Sequence, residues 1–336
     1  MLERYFDILE GRRKPVFHRT REEPSGMSRE DALHAGLDEL WAAHDAALAR
    51  IRRGDGKESG PDETNLLELK VIIARRLLSS CCFCERRCGA DRAGGKTGFC
   101  GVPADSRYAS EFFHFGEERE LVPSHTIFFS GCNFRCVYCQ NWDIATRPLS
   151  GFEADPRRLA RIIDRGRLAG SRNVNFVGGN PDPHLHTCLA TISLLETDVP
   201  VVWNSNAYAS SESMKLLDGV VDIFLSDFRY GNDACAQKYS DVPRYWDVVT
   251  RNFRLACDRA EVMLRHLVLP GHLECCTRQI MDWVSRNIPE VYFNLMFQYH
   301  PEHRAREFPE LNRLLTPAEM LRARELAREF GIEPSG

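Results

Sequence analysis

The amino-acid sequence predicts an α/β fold: a partial (β/α)6 TIM barrel with an N-terminal helical and cysteine-rich extension. From Pro123 onward, six short runs rich in β-branched and aromatic residues alternate with segments of helical periodicity. Polar residues or glycines directly follow each run, as they do where parallel barrel strands end at the active-site rim. We expect the helical extension over residues 1–80, the cysteine-rich segment over 81–122 and the barrel over 123–336.

Capping and apolar spacing predict two helices in the extension. Residues 28–53 place leucines near helical spacing behind Ser28, whose hydroxyl can cap the helix. The polar stretch 54–63 is typical of a turn or linker, and a second helix is expected over about 63–79. A glycine-rich loop segment with five cysteines follows.

The barrel strands are predicted from six short apolar runs. They are HTIFFSG from residue 125, NVNFVGG from 173, PVVWNSN from 200, VDIFLSDF from 221, VMLRHLVLPG from 262 and VYFNLMFQYH from 291. Helices are expected over 156–169, 184–197, 211–217, 244–259, 274–287 and 317–330. Six such units suffice for a partial barrel, whereas a complete barrel needs eight.

Composition narrows the class of protein and its compartment. The 336 residues carry a formal net charge of −4, which gives no global attraction to nucleic acid or to an anionic membrane. Charged residues interrupt the first ten positions, so we expect no signal peptide, and no run of 18 apolar residues occurs. We therefore expect a cytoplasmic protein whose 13 cysteines stay reduced, which favours metal or cluster ligation over disulfides.

The stretch SGCNFRCVYC spaces three cysteines as Cys132-x3-Cys136-x2-Cys139 just after the first predicted strand. Structural zinc sites are closed by four ligands, so an isolated set of three is a poor zinc motif. Three thiolates can instead hold three corners of a [4Fe-4S] cluster, whose usual complement is four cysteines. One iron then stays open to a ligand from outside the protein.

The segment CNFRCVYC resembles the defining loop of the radical S-adenosylmethionine (SAM) superfamily. The resemblance implies that Cys132, Cys136 and Cys139 hold the cluster and that the methionine part of SAM chelates the open iron. An electron from a low-potential donor such as flavodoxin or ferredoxin then cleaves SAM to methionine and a 5'-deoxyadenosyl radical. That radical abstracts a hydrogen atom from the substrate, so the cofactors carry the difficult chemistry.

The resemblance extends from Cys81 to Gly331 and includes the PflX-like homologues of pyruvate formate-lyase-activating enzymes. It implies a set of SAM contacts: Tyr138, Gly178, Gly179, Asn180, Asn204, Asn206, Asp227, Arg229, His266 and His300. Two positions depart from the family pattern, because Asn180 stands where an acidic residue is common and Arg229 where lysine is usual. No residue is assigned as a catalytic acid or base.

The upstream cysteines form a second set with the spacing Cys81-x2-Cys84-x3-Cys88-x11-Cys100. Four thiolates suit an auxiliary [4Fe-4S] cluster or a zinc ion equally, and a metal-free loop is the third alternative. The remaining cysteines receive no metal role. Of these, Cys188 and Cys257 are expected in the core, and Cys235, Cys275 and Cys276 near helix starts.

Three functions stay open. In the first, the radical acts on a small polar and anionic molecule, for example in decarboxylation or epimerisation of a sugar or nucleoside acid. This is preferred because the interval from Cys139 to the second strand has too few cysteines for the ferredoxin-like insertion of several glycyl-radical activators, and because roughly 120 N-terminal residues are expected to cover the barrel mouth. Six side chains could bind an anionic substrate: His184, His186, Arg229, Arg265, His303 and Arg304. In the second, the protein generates a glycyl radical on a partner protein. In the third, it is a non-catalytic iron-sulfur redox protein.

Overall fold

A computed structural model describes residues 2–55, 60 and 62–334. The helices are α1 Glu3–Leu9, α2 Phe17–Glu22, α3 Arg29–His34, α4 Leu37–Arg53, α5 Leu66–Leu77, α6 Trp142–Ala145, α7 Pro156–Leu168, α8 Leu185–Ile192, α9 Ser211–Leu217, α10 Asp233–Ser240, α11 Tyr245–Cys257, α12 Arg278–Asn287 and α13 Pro317–Glu329. The strands are β1 Pro24–Ser28, β2 Glu63–Asn65, β3 Arg107–His114, β4 Ser124–Phe129, β5 Phe152–Glu153, β6 Asn173–Gly178, β7 Val201–Ser205, β8 Ile223–Asp227, β9 Glu261–Leu267 and β10 Tyr292–Met296. None of these helices combines the length and apolarity that a membrane crossing requires.

The main sheet has eight strands in the order β10-β9-β8-β7-β6-β4-β3-β5. Strands β4 and β6 to β10 are parallel neighbours, and they are the six runs that the sequence predicts. Strand β3 pairs antiparallel with β4, so the cysteine-rich segment contributes a strand to the main sheet, and the expected domain bounds stay a prediction. The fold is therefore α/β with a mostly parallel sheet.

The segment 116–121, which precedes β4, contacts residues of strands that are far apart in the sheet. The Glu117 carboxylate accepts a hydrogen bond from Asn175 of β6 at 3.3 Å and pairs with Arg265 of β9 at 3.3 Å. Two strands separate β6 from β9, so a flat sheet would hold them about 14 Å apart. Both side chains reach one carboxylate because the sheet curves around this segment.

The expected helix over 28–53 is two helices. Ser28 caps the first as predicted, accepting a hydrogen bond from the Asp31 amide at 3.1 Å. The chain then turns extended at Ala35 and Gly36, and α4 begins at Leu37. The second predicted helix starts later than expected, because residues 63–65 form β2 and pair with β1. Residues 56–59 and 61 of the predicted linker lie outside the described residues.

The N-terminal residues divide between the two ends of the parallel strands, whereas the sequence led us to expect them over the carboxyl ends. The cysteine-rich segment does lie there, where Arg86 donates to the Asn133 carbonyl and Cys84 bridges to Ala209. Helix α1 lies at the amino ends of the strands, where the Tyr5 hydroxyl accepts a hydrogen bond from Asn173 at 2.9 Å and Arg4 pairs with Asp222 at 3.4 Å. Helix α5 packs on α8. Every residue of α8 is buried, so the face of α8 that points away from the sheet also needs an apolar partner, and α5 provides it.

Lys70 of α5 is fully buried between α4 and α9. Its ammonium donates hydrogen bonds to the Lys215 carbonyl at 2.9 Å and to Nε2 of His44 at 2.9 Å. Burial lowers the pKa of Lys70 to about 7. This amine therefore loses its proton in the folded protein at a lower pH than in the unfolded chain, where the lysine pKa is about 10.4.

This pKa difference predicts how stability changes with pH. Between pH 7 and 10 the unfolded chain binds a proton that the folded chain lacks, so Lys70 makes the free energy of unfolding rise with pH, by up to about 1.4 kcal/mol per unit. Urea unfolding at pH 7, 8 and 9 should show Lys70→Met lacking this contribution, whereas the exposed control Lys96→Met keeps it. An identical pH dependence in Lys70→Met and wild type would contradict the assignment.

Candidate functional site

The three-cysteine loop, residues 131–139, leaves the carboxyl end of β4 and is held by main-chain hydrogen bonds. The amides of Arg135 and Val137 donate to the carbonyls of Ser240 and Tyr239 at 3.0 and 2.8 Å, which joins the loop to the last turn of α10. Gly131 donates to the Ile144 carbonyl at 2.9 Å. The loop is thus fixed along most of its length.

Two cysteines of this loop, Cys132 and Cys136, are buried, and Cys139 is partly buried. Cys136 accepts hydrogen bonds from the Ser240 hydroxyl at 2.9 Å and from the Arg229 guanidinium at 3.4 Å, and Cys132 accepts one from the Phe134 amide at 3.4 Å. Burial, and then the neighbouring Cys136, raise the pKa of Cys139 to about 12, and burial also raises the pKa of Cys132. A bound cationic metal centre is what would convert such buried thiols to thiolates.

A chain of charged and polar groups runs from Cys136 along the ends of the strands. Arg229 donates to the Asp227 carboxylate at 2.6 Å, and Arg265 donates to its other oxygen at 2.9 Å. Arg265 also donates to the amide oxygen of Asn204 at 2.6 Å. Burial favours the neutral form of Asp227, but Arg265 and then Arg229 outweigh it and hold the pKa of this carboxylate below its ordinary value.

An amide network joins the loops after β6 and β7 to the three-cysteine loop. Asn206 donates from its side chain to Asn133 at 2.7 Å and from its main chain to the Asn180 side chain at 3.3 Å. The Tyr138 ring is buried, and its hydroxyl donates to Tyr230 at 2.8 Å. The structure therefore brings the predicted residues of the first four parallel strands together around the three cysteines.

Gly178 and Gly179 lie where the main chain of β6 meets the start of the three-cysteine loop. Gly178 has a φ of +115°, and a Cβ there would lie 2.2 Å from the Phe129 nitrogen. A Cβ on Gly179 would lie 2.1 Å from the Gly131 carbonyl oxygen. Glycine is required at both positions because main chain occupies the space of a side chain.

Substituting Gly179 tests how closely the loop depends on this packing. Because the Gly179→Ala methyl would displace the Gly131 carbonyl next to Cys132, we expect at least about a 10-fold loss of SAM cleavage, comparable to disturbing an outer contact of a metal ligand. Iron content and 5'-deoxyadenosine release measure the effect. Gly36→Ala, which has no atom within 4 Å of the added carbon, is the matched control, and equal losses in both variants would contradict this account.

Two predicted contacts lie away from this group. Both ring nitrogens of His266 are paired within the protein, with the Phe228 carbonyl at 2.8 Å and the Thr277 hydroxyl at 2.9 Å, and burial lowers its pKa to about 4. His300 is 61 % exposed and pairs with Glu302 at 3.2 Å. A SAM contact from either histidine stays a prediction, and His266 would have to exchange one of its present partners to make it.

Two further residues belong to the site: Arg265, which the sequence suggested only as an anion ligand, and Asp182, which was missed. Arg265 precedes His266 on β9 and takes the inward position, since neighbouring side chains on a strand face opposite sides. Asp182 is buried beneath the loop after β6, where it accepts a hydrogen bond from the Trp203 indole at 3.0 Å and burial raises its pKa to about 6. In the sequence, Asp182 could have been recognised as an acidic residue only two positions after Asn180, where an acidic residue is common in the family.

The upstream cysteines lie in loops beside the three-cysteine loop: Cys81, Cys84, Cys88 and Cys100. Cys84 forms a β-bridge with Ala209, and Cys88 packs so closely on Gly98 that a Cβ there would lie 2.3 Å from its sulfur. Among the described residues, the one group of three metal-ligand atoms within 4.8 Å of one another lies elsewhere. Ligation of a cluster or zinc by these four cysteines stays a prediction.

Comparison with known proteins identifies the family. Residues 126–284 match the family model described as Radical SAM superfamily. MJ0674 of Methanocaldococcus jannaschii, an uncharacterized protein, is 47% identical over 305 residues, which cover 88% of this chain and 89% of that protein. The chain belongs to the family of MJ0674 and contains a radical SAM domain. This domain implies a [4Fe-4S] cluster and SAM as cofactors.

Two other proteins are more distantly similar. MJ0808 of the same organism, also uncharacterized, is 26% identical over 246 residues, covering 70% of this chain and 67% of that protein. The crystal structure of Streptococcus suis SuiB bound to S-adenosylmethionine is 14% identical, with a TM-score of 0.45. That match covers 61% of this chain, and the chain spans about half, 48%, of the SuiB length.

The residues present fit the cofactors of the radical SAM domain. Three cysteines lie on one short loop, and two of them are buried with donors already aimed at sulfur. Beside them, Nδ2 of Asn204 and Nε of Arg229 are buried without a hydrogen-bond partner among the described residues. Unsatisfied buried donors are costly, and a polar ligand such as SAM offers the acceptors that they lack.

Proposed function

We propose that the protein is a radical SAM enzyme in which Cys132, Cys136 and Cys139 hold the [4Fe-4S] cluster. The observation that carries this proposal is the three-cysteine loop joined through Arg229 to the partly buried Asp227–Arg265 pair. When bound and reduced, the cluster supplies the electron that cleaves SAM to methionine and a 5'-deoxyadenosyl radical. A flavodoxin or ferredoxin is the proposed electron donor.

The side chains around the loop have separable roles in this proposal. Arg229 and Ser240 place hydrogen-bond donors on the Cys136 sulfur and so favour its thiolate form. Asp227 offers carboxylate oxygens to cofactor hydroxyl or amino groups, and Asn204 offers an unpaired amide donor. The curvature around Glu117 supports a further proposal, that the six parallel strands form the partial TIM barrel typical of these sites.

We further propose that the substrate is a small polar molecule. A cavity of about 900 Å³ lies between edge strand β10 and the segment before β4, and Arg265, which lines it, connects it to Asp227. Glu118 lines the same cavity, and one of its carboxylate oxygens is buried without a partner among the described residues. That oxygen suits a hydroxyl or amino group of a ligand.

The charges in this cavity favour a hydroxyl- or amine-bearing substrate over the anionic one expected from the sequence. Arg265 is already paired with Asp227 and Glu117, and Arg119 with Glu120 at 2.9 Å. Two of the expected anion ligands are buried elsewhere. His184 bonds the Ser130 carbonyl at 3.0 Å, and His186 bonds the Ala104 carbonyl at 2.7 Å.

Deuterium transfer tests the proposal. Anaerobically reconstituted protein is incubated with SAM, dithionite and deuterated metabolites grouped by charge, and the mass of the released 5'-deoxyadenosine is measured. We expect label from a neutral or cationic polyol or amine. Glu118→Gln should make the transfer of label to 5'-deoxyadenosine depend less on that substrate. Release of 5'-deoxyadenosine without label should continue, which separates substrate binding from SAM cleavage.

A second candidate function is activation of a partner enzyme by abstraction of hydrogen from a glycine. The position of the N-terminal helices favours it, because α1 lies at the amino ends of the strands and α5 packs on α8. At the carboxyl ends, the cysteine-rich segment packs on the loops after β4 and β7. Label arriving from a deuterated glycine in a partner protein, with none from metabolites, would replace the small-molecule proposal. Absence of any 5'-deoxyadenosine would favour a non-catalytic iron-sulfur protein.

A further inference from the structure

We propose that Cys235, His272, Cys275 and Cys276 bind a single Zn²⁺ ion at a site separate from the three-cysteine loop and from the upstream cysteines. The ligand atoms of Cys235, His272 and Cys275 all lie within 4.8 Å of one another. The Cys276 sulfur lies 4.0 Å from that of Cys275 but outside this group of three, so it moves toward the other ligands to supply the fourth position. A set of three thiols and one imidazole is a common closed zinc site.

The spacing favours one ion over a cluster. With zinc–sulfur bonds of about 2.3 Å and tetrahedral geometry, neighbouring ligand atoms lie roughly 3.8 Å apart. The observed upper limit of 4.8 Å and the 4.0 Å between Cys275 and Cys276 need little adjustment to reach that value. A cubane holds its sulfur ligands farther apart, so this group is too compact for it.

Main-chain geometry brings together cysteines that are 40 positions apart. Cys235 is in the first turn of α10, where its amide donates to the Asn232 side chain at 2.8 Å. The same side chain donates to the Cys275 carbonyl at 2.8 Å. Gly231 packs against the π-helical turn 273–277, so that a Cβ would lie 2.7 Å from the Cys275 oxygen. Single π-turns occur often at functional sites.

His272 is oriented as a metal ligand needs. Its Nδ1 bonds the Pro270 carbonyl at 2.7 Å, and donation there places the lone pair on Nε2. Nε2 lies 3.0 Å from the Tyr239 hydroxyl oxygen, whose single proton is donated to Glu310 at 2.7 Å. When zinc binds, Nε2 of His272 contacts the metal in place of Tyr239. Tyr239 keeps its hydrogen bond to Glu310.

The site is connected to the three-cysteine loop through α10. Cys235 lies in the first turn of this helix, and Ser240 at its end donates to Cys136 at 2.9 Å. The eight residues of α10 span about 12 Å. A zinc ion would therefore fix the helix that supports the main-chain hydrogen bonds and one sulfur of the radical SAM site. Cys275 is exposed, which gives the ion a path from solvent.

Zinc analysis of the full-length, reconstituted protein tests this site. Cys235→Ser and Cys275→Ser should each contain one zinc ion per chain fewer than wild type. Cys257→Ser, whose cysteine is exposed on α11, should keep that ion. Equal zinc in all variants, or no zinc in wild type after loading with ZnSO4, would overturn the proposal.

Two measurements on the wild-type protein test the site even if the variants fail to fold. Absorption at the zinc K-edge should show three sulfur neighbours near 2.3 Å and one nitrogen near 2.0 Å, and iron does not interfere at this edge. A shell of oxygen ligands would overturn the proposal. So would peptide mapping that finds a Cys235–Cys275 disulfide in protein kept under reducing conditions.

Discussion

Replacing Cys136 with alanine is expected to lower the release of 5'-deoxyadenosine by more than about 100-fold, because outer contacts to a metal ligand alone are worth about 10–100-fold. Cys136 is the middle cysteine of the loop, and its sulfur accepts hydrogen bonds from both Ser240 and Arg229. Removing it deletes a proposed cluster ligand and one of the two acceptors of the Arg229 guanidinium. Iron content, the visible absorption of the cluster and 5'-deoxyadenosine release should fall together.

Cys257→Ala is the matched control for this experiment. The sequence places Cys257 in the core, but the structure shows it exposed on α11, so its loss removes a thiol without touching the loop. It should retain wild-type iron and turnover. A Cys136→Ala protein that still cleaves SAM at the control rate would show that the cluster is held by other residues.

The strands were predictable because each is a short apolar run. Parallel strands buried on both faces lack alternation and stand out from amphipathic helices, as VVWNS in β7 illustrates. Helix α10 was missed for the opposite reason. Its sequence DACAQKYS has little apolar periodicity, and its hydrogen bonds to the three-cysteine loop come from residues about 100 positions away. The break at Gly36 was hidden inside a segment that stays periodic on both sides.

In the site, too, residues of one contiguous motif could be predicted from the sequence, whereas residues brought together by distant parts of the chain could not. Cysteine spacing within one loop identifies the three proposed ligands, since the motif is contiguous. Whether Arg265 or His266 faces the site depends on the strand register, which pairs Asp227 of β8 directly with Arg265 of β9. A register error of one residue exchanges inward and outward side chains. The group at Cys235 and Cys275 had no local signal, because tertiary packing alone unites it.

Replacing Asp227 with asparagine is expected to lower the free energy of unfolding by about 3 kcal/mol, near the lower end of the range for breaking a buried ion pair. The lower end applies because 21 % of the Asp227 side chain stays accessible. The carboxylate lies between two guanidiniums, at 2.6 Å from Arg229 and 2.9 Å from Arg265. Arg265 retains Glu117, but Arg229 is left with Cys136 alone, so the two cations repel one another without compensation.

Acidity provides an independent check on the same residue. Burial alone would raise the pKa of Asp227, but Arg265 and then Arg229 hold it below the unfolded value of about 3.9. Its stabilisation is therefore complete above that pH and is lost as the pH falls through the lowered folded value. Urea unfolding should show the gap between wild type and Asp227→Asn closing in acid, while exposed Asp258→Asn stays within about 0.5 kcal/mol throughout. A gap that persists unchanged at pH 2 would mean that asparagine disturbs the loop by shape and not by charge.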